Sequence, residues 1–188
     1  VFSFFSRESE VGDVEPIVGE HGRYSGHGSG NVFGHEHNRV IVAADFDGDH
    51  KADIGFYRNG LWGVLKSSQG YSLPSAQFFS WGGTELQPIC ADFDADGKAD
   101  IAYIVPASGG QSAVYAILQS SKGYSFAPGD VLFVPAGFPV LGDTPIVGDF
   151  DGDGKADPGI WRASQGVWII PKSSTNYTGY IFSQWGQP

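Results

Sequence analysis

The chain has 188 residues, 41% of them hydrophobic and 14% aromatic, which is enough to bury a sizeable core and excludes a disordered polymer. A formal net charge of -10 excludes the basic footprint that nucleic acid or an anionic membrane surface would need. There is no apolar run of 18 residues for membrane insertion, and 28 Gly and 11 Pro scattered between alternating apolar segments favour many short strands over helices.

Residues 1–38 read as a partial, degenerate repeat. VFSFF at 1–5 is similar to YIFSQW at 180–185, and GDVEPIVGE at 12–20 is similar to GDTPIVGD at 142–149. This start lacks the basic residues and small-residue cleavage site of a secretory signal. A segment rich in His and Gly, EHGRYSGHGSGNVFGHEHNRV, follows, and all five histidines lie within residues 21–50. Two readings stand side by side. One is a transition-metal site in which His35 and His37 share a strand face and Glu20, His21 or His27 completes the set. The other is a solvated Gly-rich loop that has lost its cation site, since no recognised zinc spacing is present.

Three full repeats come next, at 39–87, 88–141 and 142–188. Each opens with a short apolar segment (RVIVAA, QPICA, TPIVG) and runs into an acidic nonapeptide: DFDGDHKAD at 45–53, DFDADGKAD at 92–100, DFDGDGKAD at 149–157. Two further apolar runs and a terminal aromatic or β-branched segment complete each unit. About four strands per unit at this period predict an all-β fold of β-propeller-type blades, each of four antiparallel strands.

The nonapeptides carry the chemistry. Alternating oxygen donors on a tight loop converge on a hard cation, as in the first part of an EF-hand loop. The predicted ligands are Asp45, Asp47, Asp49, Asp53 and the Lys51 carbonyl in the first loop. Asp92, Asp94, Asp96, Asp100 and the Lys98 carbonyl serve the second; Asp149, Asp151, Asp153, Asp157 and the Lys155 carbonyl serve the third. The ninth residue closes the site where an EF-hand would place a later Glu on a helix. Gly97 and Gly154 at position six permit a sharp turn, with His50 as the exception. Phe46, Phe93 and Phe150 are expected to point into the core. The loops hold 12 of the 21 acidic residues, so about three Ca²⁺ ions are expected, with Mg²⁺ disfavoured by its demand for tight octahedral geometry.

RVIVAADFDGDHKADIGFY (39–57), PICADFDADGKADIAYI (88–104) and PIVGDFDGDGKADPGIW (145–161) resemble the FG-GAP and VCBS repeats of the integrin alpha-chain propeller type. That resemblance implies a propeller whose loops bind calcium between the first two strands of a blade. It also implies a secreted, extracellular setting in adhesion, carbohydrate binding or service as an accessory module. Three full repeats fall short of the four or more blades of a closed ring, so a longer propeller or a protomer of a homo-oligomer is expected ahead of a complete monomeric ring.

The rest of the chain offers little catalytic chemistry. Nucleophile elbow, P-loop and dinucleotide motifs are all absent, and outside the loops Glu36, Glu85, Asp130 and Asp143 show no pairing. Cys90 aligns with Ala43 and Val147 and reads as a core residue. Most Trp side chains read as blade packing, with Tyr57 and Trp161 as candidate sugar-stacking rings. Asn176-Tyr177-Thr178 is a glycosylation sequon. The expectation is a calcium-binding recognition module for a glycan or an extracellular protein, without catalysis of its own. The alternatives are an accessory domain of a secreted lyase or hydrolase, or a metalloenzyme built on the histidine segment.

Overall fold

The structure, a computed structural model, describes residues 39–84, 86–105, 113–136 and 143–186. The chain divides into two units, Val1–Gly34 and His35–Pro188, and every described residue belongs to the second. The N-terminal partial repeat, Glu20, His21, His27, His35, Glu36, His37 and Glu85 lie outside the described residues.

Twelve strands form three four-stranded antiparallel sheets, each a simple meander in chain order. The first sheet holds β1 (Arg39–Ala44), β2 (Asp53–Arg58), β3 (Leu61–Leu65) and β4 (Gln77–Ser80). The second holds β5 (Ile89–Ala91), β6 (Asp100–Val105), β7 (Val114–Leu118) and β8 (Val131–Pro135). β9 (Thr144–Gly148), β10 (Asp157–Arg162), β11 (Val167–Pro171) and β12 (Tyr180–Gln184) make the third. The sheets thus fall one to each sequence repeat, with four strands in each. Helical structure among the described residues is limited to three-residue 3-10 turns, at Ser67–Gln69, Leu73–Ser75, Ser120–Lys122 and Ser173–Thr175. The fold is all-β, built from propeller-type blades, and the sheets do not close into a barrel.

Period-two alternation gives each blade two apolar faces, and consecutive blades pack face to face. Tyr57, Trp62 and Val64 of the first blade meet Ile101 and Leu118 of the second in one buried cluster. The opposite face of the second blade, with Ala102, Tyr115 and Ile117, joins Ala156 of the third, and Val147 and Tyr177 pack against that cluster. Trp62, Tyr115, Ile101 and Ile117 are fully buried, and side chains of this size contribute roughly 1.5–3 kcal/mol each when removed from water. The Tyr115 hydroxyl donates to the Gly159 carbonyl across the second seam, so its polar end is satisfied at full burial. β5 lies against both β1 and β9, which brings the first strands of the blades side by side. Each acidic loop leaves one of these first strands and enters the second strand of its own blade.

Candidate metal centres

Each nonapeptide folds around its first aspartate. Asp45 accepts the N–H of Gly48 at 2.6 Å and of His50 at 2.7 Å. Asp92 accepts those of Ala95 and Gly97 at 2.6 and 2.9 Å, and Asp149 those of Gly152 and Gly154 at 2.7 and 3.0 Å. The first side chain therefore binds the backbone of positions four and six. Both positions are left-handed: φ is 83°, 64° and 81° at Gly48, Ala95 and Gly152, and 64°, 84° and 88° at His50, Gly97 and Gly154. The turn at position six is where the sequence places it, and His50 adopts it without glycine's freedom.

The ninth aspartate is fully buried in every copy. Asp53, Asp100 and Asp157 each take the position-two N–H on one carboxylate oxygen, from Phe46, Phe93 and Phe150 at 2.8, 2.8 and 2.9 Å. On the other oxygen each takes a backbone N–H from a serine: Ser67, Ser120 or Ser173, at 2.7, 2.6 and 2.7 Å. This carboxylate thus ties the acidic loop to the end of the third strand. Burial pushes Asp100 up to about 6 in spite of these two bonds.

The serines belong to the segments KSSQGY (66–71), QSSKGY (119–124) and KSSTNY (172–177), to which the sequence analysis gives no role. Their hydroxyls reach positions three and five of the loop in the same blade. Ser68 donates to Asp47 at 2.5 Å, Ser121 to Asp94 at 2.5 Å, and Ser174 to Asp151 at 2.6 Å. Ser120 donates to Asp96 at 2.8 Å and Ser173 to Asp153 at 2.9 Å. These hydroxyls fix carboxylate rotamers, as outer-shell groups do around metal ligands. The Ser174 hydroxyl also holds the Asp151 carboxyl below the usual range.

The structure brings three acidic groups together within each loop. In Asp45–Asp47–Asp53, Asp92–Asp94–Asp96 and Asp149–Asp151–Asp157, one oxygen from each member lies within 4.8 Å of the others. Asp151 Oδ1 is buried and has no hydrogen-bond partner, while its Oδ2 is taken by Ser174. An all-oxygen donor set that includes a residue with an orphaned carboxylate oxygen fits a hard divalent cation. Of the fifth-position carboxylates, Asp96 belongs to its group whereas Asp49 and Asp153 do not; these two accept the N–H of Lys51 and Lys155, each at 2.9 Å. Asp96 accepts that of Lys98 at the same distance. The lysine side chains differ: Lys51 pairs with Asp49 at 3.7 Å, while the stem of Lys98 lies along Gly48 of the preceding loop.

Adjacent loops are also joined directly. The Asp45 carbonyl accepts the Ala99 N–H at 2.6 Å, and the Asp92 carbonyl accepts the Ala156 N–H at 2.7 Å, so position one of a loop bonds position eight of the next. The position-two phenylalanines fill the same seams. Phe46 and Phe93 are 5% and 1% exposed. Phe150 corrects the expectation of three buried rings. It is 42% exposed, because no described blade follows the third.

Of the two candidate stacking rings, Tyr57 is buried against Trp62 with ring centroids 4.9 Å apart, and its hydroxyl donates to the Gly83 carbonyl. It presents no ring face to solvent. Trp161 is half-buried beside Trp168 at 6.2 Å and has a buried indole N–H without a partner; Trp185, the next ring in that row, is 73% exposed. Asp143 is held by Arg162 in a two-pronged pair at 3.1 and 2.9 Å, and Asp130 accepts the Ser125 hydroxyl at 2.6 Å.

Three meander blades in series, each with the same acidic loop beside its first strand, define a propeller-type repeat protein. Residues 92–157, about a third of the chain, match the family model of the FG-GAP-like repeat. The matched span runs from the first aspartate of the second loop to the last of the third, and takes in β6 to β9. No curated protein and no solved structure matches the chain. Among the described residues, no helix is long and apolar enough to cross a membrane.

Proposed function

We propose that the chain is a calcium-braced, propeller-type recognition module of extracellular proteins, with no catalysis of its own. The observation that carries the calcium reading is the orphaned Asp151 Oδ1 within a converging set of carboxylates. Asp45, Asp47, Asp49, Asp53 and the Lys51 carbonyl would hold one ion. Asp92, Asp94, Asp96, Asp100 and the Lys98 carbonyl would hold a second, and Asp149, Asp151, Asp153, Asp157 and the Lys155 carbonyl a third. Calcium suits this many oxygens on a flexible loop better than magnesium, which keeps its waters. Its contribution is structural: it offsets repulsion among carboxylates that are already drawn together.

Titration calorimetry should give about three Ca²⁺ per chain. Binding only the folded state at a hundredfold excess over Kd stabilises by about 2.7 kcal/mol per site. The melting temperature should therefore rise by several degrees between excess chelator and millimolar Ca²⁺. A melting curve indifferent to that change would refute the reading.

The recognition surface is supported by Phe78, Phe133 and Phe182. They occupy the same register on the fourth strand of every blade and are exposed in all three. A recurring exposed ring on a polar rim suits an extracellular protein partner. Glycan binding is the second reading, and Trp185 favours it more than Trp161 does, because Trp185 shows an open ring face. Alanine at all three phenylalanines should abolish protein binding and leave glycan binding intact. The pairing of Asp143 with Arg162 and of Asp130 with Ser125 supports the absence of catalysis, since neither carboxylate is free to shuttle protons.

A further inference from the structure

The outer edge of the first seam carries an aromatic strip whose exposure does not follow from a missing neighbour, because the blades on both of its sides are among the described residues. Trp62 is fully buried, and Phe79 on β4 stacks on it at 5.8 Å; Tyr124 of the second blade stacks on Phe79 in turn, at 5.6 Å with the ring planes 5° apart. This ladder leads from the core to the surface, and Val131 packs against the same cluster. Phe133 lies on this side of the second blade. It shares a register row with Ala116 and Tyr103, and Trp81 of the first blade rests on Tyr103 at 4.3 Å. Phe133 nevertheless stays 61% exposed, and Phe126, two residues past Tyr124, is 71% exposed.

Phe126 is held in place by its neighbours. Ala127 donates its N–H to the Ser125 hydroxyl at 3.2 Å, that hydroxyl donates to Asp130 at 2.6 Å, and the Asp130 N–H returns to the Ala127 carbonyl at 3.0 Å. A ring fixed in water loses little freedom when a partner covers it. The surroundings are acidic. The nonapeptide and the 119–130 connection of the second blade hold five aspartates against two lysines, a formal -3 that one divalent ion would bring only to -1. Tyr124 lies in this field: its hydroxyl donates to the Ala99 carbonyl at 2.8 Å, and its phenol is pushed up by burial and further by the carboxylates of Asp100, Asp96 and Asp53. Carboxylates of two loops thus act on one ring. The third blade has Gly179 where the second has Phe126, so the strip belongs to the first seam.

We infer that this strip binds an extended segment of a partner protein in which Arg or Lys alternates with apolar side chains. The apolar side chains would cover Phe126 and Phe133, and the cations would face Asp130 and the second loop, with the Tyr124 and Phe ring faces adding to their attraction. Charge complementarity selects this occupant: an acidic segment would be repelled, and a neutral glycan would leave the field unused. The inference rests on the recognition reading, with which it shares Phe133, and it holds whether or not the loops carry ions.

Fluorescence anisotropy on the full 188-residue chain tests it, with a labelled peptide in which Arg and Leu alternate. The same peptide with Glu for Arg should not bind. With Gly for Leu it keeps its charge and loses its apolar contacts, and it should bind at least about tenfold more weakly. Phe126→Ala and Phe133→Ala should each weaken binding of the Arg–Leu peptide by about fivefold or more, with the melting temperature of the chain retained because both rings are exposed. Phe182→Ala should leave that binding unchanged. A loss at Phe182→Ala equal to that at Phe133→Ala would favour the row of three phenylalanines and overturn the strip. An Arg–Gly peptide bound as tightly as the Arg–Leu peptide overturns it too. So does an Arg–Leu peptide that fails to bind, as expected if a glycan or residues 1–38 take this surface. Binding that needs Phe126 and Phe133 but not Phe182 supports the strip and not the row, so the two readings fail separately.

Discussion

At position four of each acidic loop the backbone is left-handed, and one copy carries a side chain there: Ala95 stands where Gly48 and Gly152 stand in the others. A left-handed alanine costs roughly 1–2 kcal/mol, partly offset by the extra freedom glycine has when unfolded. Ala95→Gly should therefore stabilise the chain by up to about 1 kcal/mol, and Gly152→Ala, where an added Cβ meets open space, should destabilise it by a similar amount, as read from thermal melts. The turn at position six was legible, because Gly97 and Gly154 mark it. Position four was not, because Ala95 breaks the glycine pattern. Asn176 illustrates the opposite hazard. It reads as a glycosylation sequon, yet it ends the last 3-10 turn with φ 52° in the place of Gly70 and Gly123, a position Asn tolerates. Cys90 behaves as its alignment with Ala43 and Val147 indicates. It packs against the first seam, and burial pushes its thiol up to about 12. Because only the thiolate reacts, alkylation at pH 8 should be slower by about two orders of magnitude or more in the native chain than in the unfolded one.

The acidic loop and the serine turn of each blade work as one element, and its two kinds of carboxylate should separate by mutation. Asp157 accepts the N–H groups of Phe150 and Ser173 at full burial, so Asp157→Asn removes a structural acceptor. It should cost about 1–3 kcal/mol even in chelator, before any loss of calcium binding is added. Asp151 has one oxygen with no protein partner, so Asp151→Asn should cost little in chelator and lose the third site's share, about a third, of the calcium-dependent rise in melting temperature. Equal effects of the two changes under both conditions would contradict this division of labour. The loops were legible because identical residue types recur at fixed spacing within nine positions. The serine pairs were not, because their partners lie 20 to 27 residues away and only the meander of the second and third strands brings them together. Spacing marks the ninth aspartate as a ligand and says nothing of the two backbone N–H groups that it also holds at full burial.

For the molecule as a whole, the number of strands per repeat and the apolar alternation predicted the blades well. Burial at the seams was less legible. DFDGDGKAD and DFDGDHKAD look alike on paper, yet Phe46 is covered and Phe150 is not, because covering depends on the next blade and not on the loop itself. The bond from the first position of one loop to the eighth of the next has a consequence for how the chain comes apart. Each blade leans on its neighbours, so unfolding should follow nearest-neighbour rules and fray from the outer sheets inward. Among the described residues only the second sheet has a seam on both sides, so amide exchange in β6 and β7 should be the slowest of the described strands, with β2 and β11 opening earlier. Ion uptake by one loop should likewise stiffen the next, giving a calcium isotherm steeper than that of independent sites.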